Sequence, residues 1–290
     1  MELVETKREY ATGRRYLNRN FANAGWYILL LLLAAITILP FLWIFFASFK
    51  GPSDAIFSIP PQLIPREPTF DNYVRVWNQL PIAGFFANSI FVGVLTTVLN
   101  VLITSLAAYP LAKMKFPGRD LIFYILLATL VVPAQLTYIP SFVLAVKVFK
   151  YYDTLAALVL PSLSSAFNIF LLRQAFKTVP NDLIDAGKID GASELRIWWD
   201  IVLPVIRPSL ATVAIFTFVN SWNDFLWPSL MLHTRERMTL PVGLAALQGM
   251  FVSDFRAVAA GVTMTVIPIL IFFILLQKQF VKGLGGAVKG

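Results

Sequence analysis

Six long apolar runs alternate with short polar segments along this chain, at roughly Trp26–Phe49, Phe85–Tyr109, Leu121–Val146, Leu155–Leu172, Ser209–Leu232 and Val258–Phe280. A helix of about 20 mostly apolar residues crosses a hydrocarbon core of about 30 Å, and each run approaches or exceeds that length. In lipid a helix also satisfies every backbone N–H and C=O internally, so such runs predict helices and not open sheet. The first run is longer than the apolar region of about 7–15 residues in a signal peptide and has no clear small-residue cleavage site. It is expected to be retained. The pattern thus predicts an all-α membrane protein with six transmembrane helices: a polar tail over 1–25, a transmembrane region over 26–282 and a short tail over 283–290.

Composition agrees with the pattern. Hydrophobic residues make up 58% of the 290 and charged residues only 14%, against roughly 25% charged in soluble domains. There is no cysteine and one histidine, His233, so neither a disulfide framework nor a thiolate or histidine-cluster metal site is expected. The net charge of +8 would raise nucleic acid as a partner in a soluble protein, but its distribution points to a lipid membrane instead. With both termini placed inside, 16 of the 24 basic residues fall on inner segments, the asymmetry of the positive-inside rule. The expected placement is a multi-pass protein of the bacterial plasma membrane with cytoplasmic termini and no nucleic-acid partner.

The polar segment 178–208 separates the fourth and fifth runs. Thr178, Pro180, Asn181 and Asp182 supply helix-start chemistry, and a short helix is expected from about Asn181 to Lys188. Ala186 and Gly187 give it a face with little bulk. Asp190-Gly191 reads as a turn, since glycine adopts a positive φ that other residues resist. Ser193 then caps a second short helix in which Leu195, Trp198, Ile201 and Val202 fall near one face. Two short helices about Gly191 form either a rigid knob suited to mechanical coupling or an ordinary amphipathic connection.

Polar residues inside the fifth run are the other feature. Asn220, Asn223 and Asp224 lie between apolar stretches beside Trp222 and Trp227. A carboxylate at a helix centre costs about 2.5–3.5 kcal/mol on insertion scales, so it should face protein or a watery path. Gln135 and Tyr138, between Pro133 and Pro140, make a weaker case of the same kind. Aromatic rings beside amides suit a sugar, yet a hydrogen-bond network between helices is an equally physical use of the same residues.

Asp185, Ala186, Gly187, Gly191, Ile201, Leu203 and Pro204 have the spacing of the signature loop of ABC importer permeases, which the segment resembles. The strings PTFDNYVRVW (68–77), AAYPLAKMKFPG (107–118), VPAQLTYIPSFVL (132–144) and FVNSWNDFLWPSL (218–230), with the tail GLGGAVKG (283–290), are similar to the MalG-like permease of carbohydrate importers. Asp185 stands where that family usually has Glu, and Gly187 where a second Ala is usual. The resemblance implies a non-catalytic type I permease with cytoplasmic coupling helices, paired with a companion MalF-like permease. It implies further an ABC ATPase homodimer docking on the loop, an extracytoplasmic sugar-binding lipoprotein or periplasmic protein, and a carbohydrate substrate. No G-x-x-x-x-G-K-[ST] phosphate loop occurs, so no cofactor is expected on this chain, ATP and Mg being held by the partner. The competing class is an ion-coupled secondary transporter of a small polar solute. It is disfavoured by the lack of paired repeats and of acidic residues in the spans other than Asp224.

Overall fold

Proline and polar punctuation, more than apolar length, decides where the helices stop. The computed structural model describes residues 2–59, 62–250 and 254–287. Its α-helices in chain order are α1 (Glu2–Ser48), α2 (Asp71–Gln79), α3 (Ile82–Lys113), α4 (Arg119–Ala128), α5 (Ala134–Val143), α6 (Ala156–Val159) and α7 (Ala166–Lys177). They continue with α8 (Asn181–Ile189), α9 (Glu194–Arg196), α10 (Leu203–Val205), α11 (Arg207–Asn223), α12 (Leu226–Met231), α13 (Leu240–Met250) and α14 (Phe255–Ala287). Tighter turns extend α4 at Thr129–Val131 and α6 at Leu160–Ser162, and π-helical turns span Leu144–Val148 and Ile197–Val202. Among the described residues there is no strand, only an isolated bridge between Lys50 and Pro68.

Three stretches are long and apolar enough to cross a membrane unbroken: Gly25–Ser48, Ile82–Lys113 and Phe255–Ile274. Three more are bent pairs: Arg119–Val131 with Ala134–Val148 at 98°, Ala156–Ser162 with Ala166–Lys177 at 46°, and Glu194–Val205 with Arg207–Asn223 at 85°. Counting each pair once gives six, the number expected, but the third and fourth runs are bent, and in the last pair Glu194–Val205 belongs to the polar segment 178–208, which leaves Arg207–Asn223 to the fifth run. In the third, Val132 is extended (φ −78°, ψ 119°) ahead of Pro133, the conformation that a following proline imposes. The fifth run breaks at Asp224, which is also extended (φ −66°, ψ 121°). Pro228 is not the interruption; it sits in the first turn of α12, where its missing N–H costs nothing. The N-terminal stretch is helical in backbone and continuous with the first span, and residues 288–290 of the expected C-terminal tail lie outside the described residues.

The chain divides into two units, Met1–Tyr73 with Ser253–Thr263, and Val74–Val252 with Met264–Gly290. In the first unit the irregular segment after α1 wraps a buried ammonium. Lys50, 1% exposed, donates from Nζ to the carbonyls of Ala55 (2.8 Å) and Gln62 (2.6 Å). Burying that charge is tolerable only because acceptors surround it. Asn72 closes the loop by donating to the carbonyls of Ser48 and Lys50.

The second unit is built on α3, α7 and α11. A buried polar knot ties the three together: Asn168 Nδ2 donates to Asn100 Oδ1 (2.8 Å) and Thr217 Oγ1 (3.0 Å), and Asn100 Nδ2 to the Ser162 carbonyl (2.8 Å). Apolar clusters lie to either side along the helices. One holds Val92, Ala145, Ala157, Leu158, Trp227 and Met231. The other holds Ala108, Tyr109, Leu172, Phe176, Ile184, Ile197, Trp198, Val202 and Val213.

Candidate functional site

The segment 178–208 folds as a knob seated on the second of those clusters. Its first helix, α8, spans Asn181–Ile189, one residue longer than expected. Thr178 does not cap it; its hydroxyl donates back to the Ala175 carbonyl and closes α7. The helix ends in a Schellman turn: Gly191 N–H donates to the Lys188 carbonyl and Ala192 N–H to that of Gly187, both at 3.0 Å. Gly191 has the φ of +76° that this turn requires, and apart from its chain neighbours no described residue has an atom within 4 Å of where a Cβ would be. Ser193 caps α9, as expected, by accepting from the Arg196 N–H.

Gly187 serves a different purpose from Gly191. It is buried, and a Cβ there would lie 2.7 Å from Ile201 Cδ1 and 3.2 Å from Ile197 Cγ1. Its missing side chain lets α8 lie directly on the second helical stretch. That stretch runs π-helically through Ile197–Val202, which changes the expected face. Ile197, Trp198 and Val202 are buried, while Leu195, expected with them, is 63% exposed. The wider π turn rotates Leu195 outward and brings Ile197 in.

The seven positions of the signature spacing therefore divide. Gly187 is buried, and Ile201, Leu203 and Pro204 are half-buried; Ile201 and Leu203 pack against the cluster. Asp185, Ala186 and Gly191 are exposed. The outward side also carries Ile189, Leu195 and Trp199, large apolar residues that spacing alone does not single out.

The knob is held to α3 by directional bonds as well as packing. Lys113 Nζ donates to the Val179 carbonyl (2.5 Å) and Asn181 Oδ1 (2.9 Å) at the start of α8. One turn back, Tyr109 Oη donates to Glu194 Oε2 (2.9 Å), while Glu194 Oε1 takes Lys188 Nζ at 2.9 Å. The Lys188 bond, with smaller help from Tyr109, holds Glu194 below the usual carboxylate range, and Glu194 in turn raises Lys188. On α7, Arg173 donates to the Leu111 carbonyl and lies 3.7 Å over the Phe123 ring.

The polar residues of the fifth run gather at the α11–α12 break. Asp224 is not inside a helix; its Oδ1 accepts from the Trp227 N–H (3.4 Å) and so helps to start α12. Asn220 and Asn223 are exposed at the end of α11. Tyr138 reaches the same place, its ring 5.9 Å from that of Trp227, with exposed Gln135 on the same helix, α5. A hydrogen-bond network between helices does exist, but at Asn100, Asn168 and Thr217. The sequence pattern gives no sign of Asp153 either. At φ +57°, its carboxylate accepts from His233 N–H, Thr234 N–H, Thr234 Oγ1 and Arg237. Burial alone would raise its pKa, but these donors outweigh it and hold the group at about 2.

Residues 100–285 match the family described as binding-protein-dependent transport system inner membrane component. The chain belongs to this family. The arabinooligosaccharides transport system permease protein AraQ of Halalkalibacterium halodurans is 36% identical over 89% of this chain and 93% of its own. The diacetylchitobiose uptake system permease protein NgcG of Streptomyces coelicolor is 34% identical over 90% and 87%. Among solved structures, a bacterial ABC transporter involved in import of the acidic polysaccharide alginate superposes with a TM-score of 0.77 at 25% identity, covering 90% of this chain and 97% of its own. As a member, the chain is an inner membrane component with no catalytic role of its own. The family implies a partner permease, an ATPase and a binding protein.

Proposed function

We propose that the chain forms, with a companion MalF-like permease, the path for uptake of a carbohydrate delivered by an extracytoplasmic sugar-binding lipoprotein or periplasmic protein. The termini and the knob face the cytoplasm, and the exposed side of the knob docks on an ABC ATPase homodimer that carries ATP and Mg. The observation behind this reading is the two-sidedness of the knob. Its inner side is bonded to α3 and packed on the core, while its outer side presents Ala186, Ile189, Leu195 and Trp199 without cover. An ordinary interfacial connection needs no such bracing; a lever does, because a loose loop cannot pass on a domain movement. The carbohydrate assignment draws on the relatives, described as handling arabinooligosaccharides, diacetylchitobiose and alginate. Asn220, Asn223, Asp224, Gln135 and Tyr138 are proposed to border the path.

The test is binding of those saccharides, lactose and glycerol 3-phosphate to the cognate binding protein. ATP hydrolysis by the reconstituted complex is then measured with the loaded protein. Stimulation by a loaded saccharide complex is expected. Stimulation by none of the loaded complexes would overturn the carbohydrate assignment.

A further inference from the structure

Glu194 joins three elements at once: the first short helix, the second short helix and a membrane span. One carboxylate oxygen takes Lys188 in the last turn of α8 and the other takes the Tyr109 hydroxyl on α3, both at 2.9 Å. Glu194 itself is the first residue of α9, directly after the Ser193 cap. Tyr109 is buried at 5% exposure, with its ring edge-on to Phe176 at 5.7 Å, so its hydroxyl has a fixed direction. Lys113, four residues on and hence on the same face of α3, holds the start of α8 in the same way. Without the carboxylate, the far end of the knob would rest on apolar contacts, which are non-directional, and the two short helices would be joined only by their glycine-centred turn and by the apolar packing of Ile197 and Ile201 over Gly187.

We propose that Glu194, gripped by Tyr109, is a positioning residue that makes the knob and α3 a single moving body. A push on the outer side of the knob is then handed to the span instead of being absorbed at the Gly191 turn. The inference rests on the proposed docking of an ATPase on the knob.

Tyr109→Phe is the decisive variant. It removes one buried hydroxyl, keeps the ring packing and cannot touch a partner from inside the chain. Nitroxides are attached to cysteines at Leu106 on α3 and Asp190 on the knob, both exposed, in this naturally cysteine-free chain. Their separation is measured by pulsed EPR in the permease pair alone and in the ATPase complex, before and after trapping with ADP and vanadate. With Tyr109 intact, one narrow separation is expected in all states. In Tyr109→Phe, the undocked population should rise about tenfold, the factor corresponding to one hydrogen bond to a charged group, and the separation should change on trapping. Glu194→Gln, which keeps an acceptor for Tyr109 but loses the charge facing Lys188, should fall between the two. An equally narrow, unmoving separation in Tyr109→Phe overturns the proposal, as does a separation that shifts on trapping in the parent. Failure to capture any ATPase would count against the docking reading alone, because the permease pair by itself still reports whether the clasp holds.

Discussion

Replacing Gly187 with alanine tests how closely the two halves of the knob are packed. The new methyl would stand 2.7 Å from Ile201 Cδ1 and 3.2 Å from Ile197 Cγ1, where carbon atoms prefer about 3.5–4.0 Å. Ile197 is fully buried and has little room to retreat, whereas Ile201 is half-buried and can turn its terminal methyl only by leaving its rotamer. Overpacking of this kind costs about 1–3 kcal/mol. Against it stands the better helix propensity of alanine, worth about 1 kcal/mol, so the net loss should be about 1 kcal/mol. Ile201→Val removes the offending Cδ1 at a cost of about 0.5–1 kcal/mol. In the double variant the methyl added at position 187 occupies the space so vacated, and most of both penalties should disappear. Thermal unfolding in detergent, followed by tryptophan fluorescence, reads these differences at about 2 °C per kcal/mol for a chain of this size. The cycle should show a favourable coupling of about 1–2 kcal/mol. Simple additivity would refute the close approach of α8 to the π-helical stretch.

Asn168→Ala removes two buried bonds between α3, α7 and α11. Double-mutant cycles in membranes average about 0.6 kcal/mol per bond, so a loss of about 1–2 kcal/mol is expected in the same melt; no loss would mean that the knot is idle. Asp153→Asn keeps the shape and a residue tolerant of positive φ but loses charge, so it should melt between the parent and Asp153→Ala; melting of Asp153→Asn at the parent temperature would discount the charge. Glu194 is depressed and Lys188 raised, so their pair stabilises the knob fully above the unfolded carboxylate pKa of about 4.3 and below the unfolded lysine value of about 10.4. The EPR separation across the clasp should therefore hold from about pH 5 to about pH 9. It should change only as pH falls through the lower pKa of folded Glu194 or rises through the higher one of folded Lys188; a transition near neutrality would contradict this. Gly191→Asn should cost at most about 1–2 kcal/mol from its positive φ, since the described residues leave open space around its Cβ, and so a loss of ATPase capture with a near-normal melt is the expected mark of an outside contact.

The parts of this fold legible in sequence are those with local causes. Six apolar runs give six candidate crossings because length and hydropathy need no partner. Gly191 and Ser193 carry their turn and cap in their own chemistry. What the sequence does not reveal depends on distant partners or on fine winding. Asn100 and Asn168 sit in apolar stretches where an isolated amide gives no hint that its mate lies 68 residues away. The donors to Asp153 are 80 and more residues distant. An α-helical period misplaces Leu195 on the inner face of the second short helix, because the turn there is π-helical. At Asp224 the hydropathy pattern runs through a break that one carboxylate, accepting from the backbone three residues on, is enough to stabilise.

The two candidate sites stand at opposite ends of one helix. α11 leaves the knob at Arg207 and ends at Asn223 beside Asp224, 17 residues or about 26 Å at 1.5 Å per residue. Past its midpoint, Thr217 is bonded to Asn168 and Asn100, so α11 cannot slide along its axis without breaking bonds on both α7 and α3. With the knob fixed to α3 through Tyr109 and Lys113, the same bonds make α11 travel with α3 and the knob. A displacement of the knob would thus be carried along α11 as far as Asn223. The break at Asp224 then has a mechanical meaning, as an unbroken helix would have to drag α12 and its Trp227 anchor, bonded to the Ala157 carbonyl at 2.9 Å, along with it. Asp224 and Phe225, between α11 and α12, are where such a displacement would be taken up. The carboxylate that starts α12 would thereby separate the helix that the knob displaces from the one that Trp227 holds.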